Sequence, residues 1–268
     1  MKRSTILGKG FGLIALIAVI GFFATACPEK DGDDEDGGYS GNVGGPAFLG
    51  DKLELSGQVY EHKSNNGIYS YQAFSGNLTI YDNDNHGGSG EIKNGQLSYS
   101  IGVPANLKPL DFEDDYNWEL EDGDYFYNNF SVSKANVKGV IIDKLSTDSN
   151  GYSNNVRKTN EAEAYNEQNG SYSYTYEEVY YVYVEEDVTV SGSGKTSTYS
   201  EPDDGVNYTV KYISGDLNLA FKKGWNAVYM KMEQAVTFTG TIDDPTTLNE
   251  TNTVTTSLSN PSLRWVLW

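Results

Sequence analysis

The segment YSYTYEEVYYVYVEEDV, residues 172–188, constrains the possible folds of this chain more than any other stretch. Tyr172, Tyr174 and Tyr176 alternate with Ser and Thr, so on an extended strand their side chains share one face. From residue 179 to 184 both faces carry aromatic or β-branched residues. That pattern is typical of a central strand that is covered on both sides, and it predicts a large β-sheet.

The three alternating tyrosines have two interpretations. A tyrosine can bury its ring while its hydroxyl reaches a partner or water, so Tyr172, Tyr174 and Tyr176 can fill a sheet or pair with rings on neighbouring strands. A row of exposed rings can instead stack on sugars or pack against a peptide. These three residues are therefore the candidate binding site, with sheet packing as the alternative. Glu177 and Glu178 interrupt the pattern and predict a bulge or a bend.

The remainder of the body, residues 48–268, also has the composition of β structure. Tyr, Val, Thr, Ile and Phe are plentiful, and Gly and Asn recur between the segments that these residues form. No long segment has apolar residues at the spacing of an α-helix. Asn94 and Gly95 stand between alternating residues and predict a hairpin, because both residue types tolerate positive φ. Within LAFKKGWNAVYMKM, a turn at Lys223 and Gly224 predicts a second hairpin.

Three stretches have a weaker pattern. Residues 104–128 predict an irregular connection, and the polar residues 146–171 predict a long loop or a domain boundary. Residues 156–168 are the one candidate helix, but they are polar nearly all round, so a loop or a strand edge fits equally well.

The sequence as a whole predicts an all-β fold, an antiparallel β-sandwich of the immunoglobulin-like or a related type. The body, residues 48–268, forms one large unit or two small sandwiches over 48–145 and 172–268. The strand and turn spacing of SGQVY, SGNLTIYD and NGQLSYSIG resembles immunoglobulin-like and carboxypeptidase-regulatory-like sandwiches of exported proteins.

The start of the chain predicts export. Lys2, Arg3 and Lys9 give a basic head, and residues 11–26 follow without a charge. Sixteen apolar or small residues make a helix of about 24 Å, which is shorter than the hydrocarbon core of roughly 30 Å. A cleaved signal over residues 1–26 therefore fits better than a permanent membrane span, which remains an alternative.

Cys27, the one cysteine of the chain, directly follows the small residues ATA. This stretch resembles the lipobox of bacterial lipoproteins, although Ala24 stands where that family usually has leucine. The resemblance implies cleavage before Cys27 and attachment of lipid to its thiol, so the membrane is the first predicted partner. An ordinary signal peptide with a chance cysteine is the other alternative.

Residues 27–47 are acidic, rich in glycine and almost free of large apolar groups, which predicts a flexible tether behind the lipid. An acidic cluster after the lipidated cysteine resembles the export tag of some surface lipoproteins. The predicted location is therefore the cell envelope, with an anchor in the outer membrane and a body that faces either outward or the periplasm.

The charge of the chain excludes one class of partner. Removal of residues 1–26 leaves 16 Lys and Arg against 38 Asp and Glu, a net charge of −22. A protein that binds nucleic acid needs a basic surface, and no basic patch stands anywhere in the body. No nucleic-acid partner is therefore predicted.

Catalytic and metal-binding signatures are equally scarce. His62 and His86 are the two histidines, and neither stands near a recognisable nucleophile motif, so no catalytic residue is predicted. The acidic loop at 82–91 departs from a calcium-binding EF-hand, because Lys93 stands where a bidentate Glu is required. No metal and no cofactor are predicted.

The segments GEIKNGQLSYSIGVPANLKPL and FKKGWNAVY, with a C-terminus that bears tryptophan, resemble a group of uncharacterised β-rich bacterial surface lipoproteins. No activity comes with that resemblance. The expected function is a non-catalytic binding or adhesion module for a glycan or a protein. The alternatives are a structural envelope component without a ligand and a carbohydrate-active enzyme.

Overall fold

The structure is a computed structural model that describes residues 47–65, 68–81, 85–117, 119–120, 124–149, 152–166, 170–203, 206–241, 244–257 and 263–268. The predicted signal, Cys27 and the tether up to residue 46 lie outside the described residues, as do Asp82, Asp84 and Trp118. The statements below concern the described residues.

Nearly all of the described chain is β-strand, as the sequence predicts. In chain order the strands are β1 (Ala47–Gly50), β2 (Leu53–Asn65), β3 (Ile68–Ala73), β4 (Leu78–Tyr81), β5 (Ser89–Lys93), β6 (Gln96–Ile101), β7 (Lys108–Pro109), β8 (Asn128–Val132), β9 (Lys138–Ile142), β10 (Leu145–Ser149), β11 (Tyr152–Asn166), β12 (Ser171–Val184), β13 (Val188–Ser193), β14 (Thr196–Asp203), β15 (Val206–Ser214), β16 (Leu217–Phe221), β17 (Gly224–Thr241), β18 (Asp244–Ser257) and β19 (Arg264–Leu267). One short helix, α1 (Phe112–Tyr116), lies between β7 and β8.

Most strands belong to one large sheet with the order β10-β4-β5-β6-β2-β19-β11-β12-β17-β18-β15-β14. Strand β10 also pairs with β11, so the first seven strands of that order form a closed circuit of hydrogen bonds. The strand pairs are antiparallel except for β2–β19 and β15–β18. Strands β16, β13 and β8 form a second, three-stranded sheet. The all-β, sandwich-like prediction is confirmed.

The closed circuit of strands surrounds apolar side chains from alternate positions. Leu55 pairs with Tyr99, Leu97 pairs with Ile92, and Trp265 pairs with Val59 in register. Because directly paired residues point to the same face of a sheet, these side chains meet inside the circuit, and they are buried. The C-terminal strand β19 closes this part of the fold by pairing with both β2 and β11.

The second sheet and α1 cover the other face of the large sheet. The ring of Phe112 on α1 stacks on Phe221 of β16 at 5.6 Å, and Tyr116 on α1 stacks on Tyr180 of β12 at 5.9 Å. Residues of both sheets belong to one continuous hydrophobic cluster. The proposed division of the body into 48–145 and 172–268 stays a prediction.

Strand β12 is the central strand that the sequence predicts. Every residue from 178 to 184 is buried, with β17 on one edge and β11 and then β9 on the other. The register between β12 and β17 is continuous through Glu177 and Glu178. The predicted bulge at this point is therefore wrong.

Three turn and loop predictions have different outcomes. Asn94 and Gly95, with φ angles of 51° and 77°, form the predicted hairpin between β5 and β6. The predicted hairpin at Lys223 and Gly224 is wrong, because β16 and β17 lie in different sheets. The predicted loop at 146–171 is also wrong, since most of it is β10, β11 and the start of β12.

Candidate functional site

Strand β12 places the three predicted binding residues on one face of the large sheet, but in different environments. Tyr176 is buried at 7% exposure, whereas Tyr172 and Tyr174 are half-buried. We use the name tyrosine face for this surface, which the register extends over neighbouring strands. It comprises Tyr172, Tyr174, Tyr176 and Glu178 of β12, Glu161 and Glu163 of β11, Met232, Gln234 and Val236 of β17, Glu250 and Asn252 of β18 and Tyr208 of β15.

At its buried end, the tyrosine face contains a carboxyl group. The phenol of Tyr176 is hydrogen-bonded to the Glu178 carboxyl, and burial raises the pKa of Tyr176 well above its usual value. Burial also raises the pKa of Glu178 to about 8, against the opposing effects of Tyr176 and Arg157. Oε2 of Glu178 is buried with no hydrogen-bond partner. Glu178 is therefore held largely protonated at neutral pH.

Glu161 lies beside Tyr174 on the same face. Burial raises the pKa of Glu161 to about 7, against the opposing hydrogen bond from Tyr174. The backbone N–H of Glu161 donates to the hydroxyl of Tyr71 at 3.1 Å, and the guanidinium of Arg264 lies over the Tyr71 ring at 5.1 Å. These contacts fix the edge of β11 against β3.

The middle of the tyrosine face holds a hydrogen-bonded cluster of amides and one carboxylate. Glu250, at 4% exposure, accepts from Nε2 of Gln234 at 2.7 Å and from Nδ2 of Asn252 at 2.8 Å. The hydroxyl of Tyr208 donates to its other oxygen at 2.9 Å. Oε1 of Gln234 is buried without a hydrogen-bond partner. The cluster therefore keeps an unused acceptor.

None of the sequence-based predictions includes this cluster. Gln234, Glu250 and Asn252 stand at alternate positions of β17 and β18, where polar residues usually indicate a solvent-facing side. The signal that could have found it is the segment NETNTV (249–254), because Glu250 and Asn252 stand at alternate positions and so share one face of a strand.

The two histidines lie in separate settings. The ring of His62 contacts Trp268 at 4.7 Å and Tyr71 at 5.5 Å, and burial lowers its pKa. Nδ1 of His86 lies 3.1 Å from the carbonyl oxygen of Ala105. The His62 ring thus packs against two aromatic side chains, and the His86 ring contacts a backbone carbonyl group.

The tryptophans divide by burial. Trp225 and Trp265 are fully buried, and their indole N–H groups donate to the carbonyl oxygens of Gly102 at 2.8 Å and Ser56 at 2.9 Å. Trp268 is 43% exposed. The two buried rings are thus core residues, as tryptophans on strands usually are.

An acidic pocket of about 280 Å³ lies beside α1, lined by Asp111, Glu113, Asp114, Asn117, Glu119 and Tyr125. Burial, with Asp114 and Asp111 nearby, raises the pKa of the adjacent Asp115 to about 7. No three His, Cys, Asp or Glu residues in the described part of the chain are grouped so that they could hold a metal ion.

A second polar cluster connects the loop before β8 to β14. Asp124 accepts hydrogen bonds from the Lys195 ammonium, from the Ser197 hydroxyl at 2.7 Å and from the Tyr199 hydroxyl at 3.2 Å. These donors, with Lys195 first, lower the pKa of Asp124 to about 2. The cluster thus joins the loop before β8 to the segment around β14, because Asp124 accepts a hydrogen bond from each of the other three residues.

A carboxyl group that stays protonated at neutral pH can act as a general acid. Glu178 has this protonation state, but its side chain is only 4% exposed. The rings of Tyr172, Tyr174 and Tyr208 are half-buried, whereas Glu250, Gln234 and Asn252 of the neighbouring cluster are buried.

Among the helices of the described residues, none is both long and apolar enough to cross a membrane. The chain matches no protein-family model, and neither a curated protein nor a solved structure shows detectable similarity to it.

Proposed function

We propose that this chain is an exported, lipid-anchored and non-catalytic binding module of the cell envelope, with the tyrosine face as its ligand-binding surface. The observation that carries the proposal is the placement of Tyr172 and Tyr174. Both rings are half-buried on a strand whose far end is fully buried, so a rigid support presents them beside polar groups. Binding sites commonly combine aromatic surface with a few fixed polar groups in this way.

The proposed anchor is the lipid on Cys27, which the lipobox-like sequence supports. The acidic tether behind it gives the body a reach of roughly 25 Å as a flexible chain of about 20 residues. We place the anchor in the outer membrane and the body on the outer surface, since the acidic cluster resembles a surface-export tag. The strongly negative body is repelled by anionic lipid, so the lipid chain has to supply the attachment.

Protease shaving of intact cells tests the location. Cells that carry the full chain are treated with protease beside cells with the Cys27→Ala variant, and a periplasmic protein serves as the internal marker. Cleavage of the body with survival of the marker supports surface display. Protection of the body until the envelope is opened contradicts surface display, and an unchanged membrane fraction for Cys27→Ala contradicts the lipid anchor.

Binding itself is tested on the full-length chain in detergent micelles. The chain is applied to immobilised glycans and to immobilised proteins, and saturable binding is compared between the parent and the Tyr172→Ser/Tyr174→Ser variant. Lost binding with an unchanged melting temperature supports the tyrosine face. Tyr125→Ser, which removes an exposed tyrosine elsewhere, is the matched control.

A structural envelope component without a ligand is the second candidate. The cluster around Glu250 favours it, because Gln234, Asn252 and Tyr208 all donate to that one carboxylate and so stabilise the sheet internally. This function predicts no saturable binding to any immobilised glycan or protein. It also predicts a lower melting temperature for the Tyr172→Ser/Tyr174→Ser variant.

A further inference from the structure

We propose that one end of the body docks on the zwitterionic lipid surface of the membrane that holds the anchor, through the exposed side chains of Phe48 and Val103. We call this region the tether end; it comprises residues 47–54, 101–109, 184–188 and 221–224. The inference rests on the lipid anchor of the proposed function, and it adds a direct contact between the folded body and the lipid.

Strand pairing places Phe48 and Val103 at the same end of the large sheet. Gly50, two residues after Phe48, lies opposite Trp225. The indole N–H of Trp225 donates to the carbonyl oxygen of Gly102 at 2.8 Å, and Val103 is the next residue. The segments that carry the two exposed side chains therefore meet at one buried ring.

The exposed large apolar side chains of the described residues concentrate at this end. Val103 is 64% exposed and Phe48 is 54% exposed, the two highest values among them. Tyr81, at 47% exposure, ends β4 at the end of the closed circuit where β5 begins and β6 ends. Single exposed apolar residues are common, but several at one end of a body indicate an interaction surface. A lipid interface accepts such side chains without a shaped pocket.

The position of the tether favours lipid as the partner of this surface. Residues 28–46 separate the proposed lipid on Cys27 from β1, and a glycine-rich chain of about 20 residues spans roughly 25 Å. Strand β17 starts at Gly224 in the tether end and has 18 residues, so it extends up to about 60 Å from there. The tether end is thus the part of the body that the anchor holds closest to the membrane.

The charges around the tether end indicate the class of lipid. Lys222 pairs with Asp187 at 3.0 Å, and Lys52 pairs with Glu54, all with exposed side chains. A zwitterionic headgroup carries an ammonium and a phosphate, so it is compatible with exposed groups of both signs. Anionic lipid is disfavoured, because the chain from residue 27 onward carries a net charge of −22.

This contact would orient the body and the tyrosine face. Strand β12 runs from Ser171 to Val184, and Val184 lies opposite Gly224 in the tether end. At about 3.3 Å per residue, Tyr172 lies roughly 40 Å further along the strand. A body docked by its tether end therefore holds the half-buried tyrosines of the proposed binding surface away from the lipid.

Fluorescence quenching tests the contact on the lipidated full-length chain in phosphatidylcholine vesicles. A dye is attached through Ala105→Cys, an exposed position of the tether end, or through Thr237→Cys, an exposed position about 40 Å along β17. A phosphatidylcholine with a nitroxide near its headgroup is the quencher, and it acts only at short range. We expect the dye at Ala105→Cys to be quenched at least about twofold more than the dye at Thr237→Cys.

A double substitution then tests the two apolar side chains. Phe48→Ser/Val103→Ser should reduce the quenching at Ala105→Cys by about half or more, because the apolar surface that enters the lipid is lost. Its melting temperature should stay close to that of the parent, since both side chains are exposed. Tyr125→Ser/Trp268→Ser, which removes two other exposed rings, is the matched control and should leave the quenching unchanged. Unchanged quenching in Phe48→Ser/Val103→Ser would overturn the proposed contact.

Two further outcomes separate the contact from the anchor. Quenching that appears only after phosphatidylglycerol replaces part of the phosphatidylcholine would overturn the assignment to zwitterionic lipid. Flotation of the same vesicles measures the anchor independently. If the chain floats with the vesicles but both dye positions are quenched equally, the contact is wrong and the anchor stands. If the chain does not float, the anchor of the proposed function is wrong, and so is the contact that rests on it.

Discussion

Glu178 of β12 lies directly opposite Thr159 of β11, and both side chains are buried, at 4% and 0% exposure. The Thr159 hydroxyl donates to the carbonyl oxygen of Glu177 at 3.0 Å, so it does not satisfy the neighbouring carboxyl. Glu178 is instead hydrogen-bonded to the phenol of Tyr176, and its second oxygen has no partner. A buried carboxyl with so few donors stays neutral, and the stability of the fold then depends on its proton.

Raising the pH should therefore destabilise the protein through Glu178. Its pKa of about 8 in the folded state exceeds the value of roughly 4.3 for an unfolded Glu. The stabilising contribution is fully present below about pH 4 and is lost as the pH rises towards 8. We expect the free energy of unfolding to fall between pH 5 and 8.5. Glu178→Gln should be more stable than the parent at pH 8.5, by on the order of 2 kcal/mol.

Urea unfolding at a series of pH values measures this effect. Glu161 and Asp115, whose pKa values are raised to about 7, titrate in the same direction and remain in the variant, so its slope should decrease without vanishing. Gln96→Ala, which changes an exposed residue without an ionisable group, is the control and should keep the slope of the parent. Equal slopes for Glu178→Gln and the parent would contradict the role of Glu178.

Trp265 should contribute far more to stability than Trp268, three residues further along the same end of the chain. The Trp265 ring is 2% exposed inside the closed circuit of strands, and its N–H donates to the Ser56 carbonyl. Trp265→Ala should lower the free energy of unfolding by about 3–5 kcal/mol, and Trp265→Phe by less. Trp268→Ala, which removes a ring that is 43% exposed, should cost about 1 kcal/mol or less. Similar losses for Trp265→Ala and Trp268→Ala in chemical denaturation would contradict the burial argument.

The sequence predicts the parts of this fold whose signals are local. The apolar pattern on both faces of residues 179–184 indicates a central strand, because only burial on both sides favours that composition. Asn94 and Gly95 indicate their hairpin, because their residue types tolerate the positive φ that the turn requires. Neither inference depends on a distant part of the chain.

The predictions that failed concern pairing between distant or polar segments. Strand β11 carries Asn, Lys and Glu side chains on its surface, so its sequence resembles a loop, and backbone hydrogen bonds hold it between β12 and β19. The parallel contact of β2 with β19 joins segments about 200 residues apart, which no local period encodes. At Lys223 and Gly224, Asn226 caps the turn with hydrogen bonds to Lys222 and Gly224, and the chain passes into another sheet.

The candidate site was predictable only in part for the same reason. Tyr172, Tyr174 and Tyr176 stand on one strand, so their common face follows from period-2 geometry. The amides and the carboxylate beside them come from β17 and β18, and their proximity to the tyrosines depends on strand order and register. The burial of Tyr176, at 7% exposure, likewise does not follow from the alternation, which gives all three tyrosines the same pattern.

Replacing Gly95 should destabilise the β5–β6 hairpin beyond the usual effect of positive φ. Gly95 has φ 77°, and an added Cβ would lie 1.9 Å from the carbonyl oxygen of Phe74, so the backbone would have to move. Gly87 also has positive φ, 93°, but its Cβ would meet open space. Gly95→Ala should therefore cost about 2 kcal/mol or more, and Gly87→Ala about 1 kcal/mol. Thermal unfolding of both variants measures the difference, and equal melting temperatures would contradict the steric argument.

The Asp124–Lys195 pair should show a modest, measurable coupling. Asp124 is 43% exposed and Lys195 12% exposed, so solvent screens the pair only in part. We expect a double-mutant cycle of Asp124→Asn and Lys195→Met to give a coupling energy of about 0.5–1 kcal/mol at pH 7, and less in 1 M NaCl.

Because the pKa of Asp124 is lowered to about 2, its contribution is present above about pH 4 and is lost as the pH falls through 2. The Lys52–Glu54 pair, with both partners mostly exposed, is the control and should show coupling near zero. Strict additivity at Asp124 and Lys195 would mean that Ser197 and Tyr199 alone hold the carboxylate.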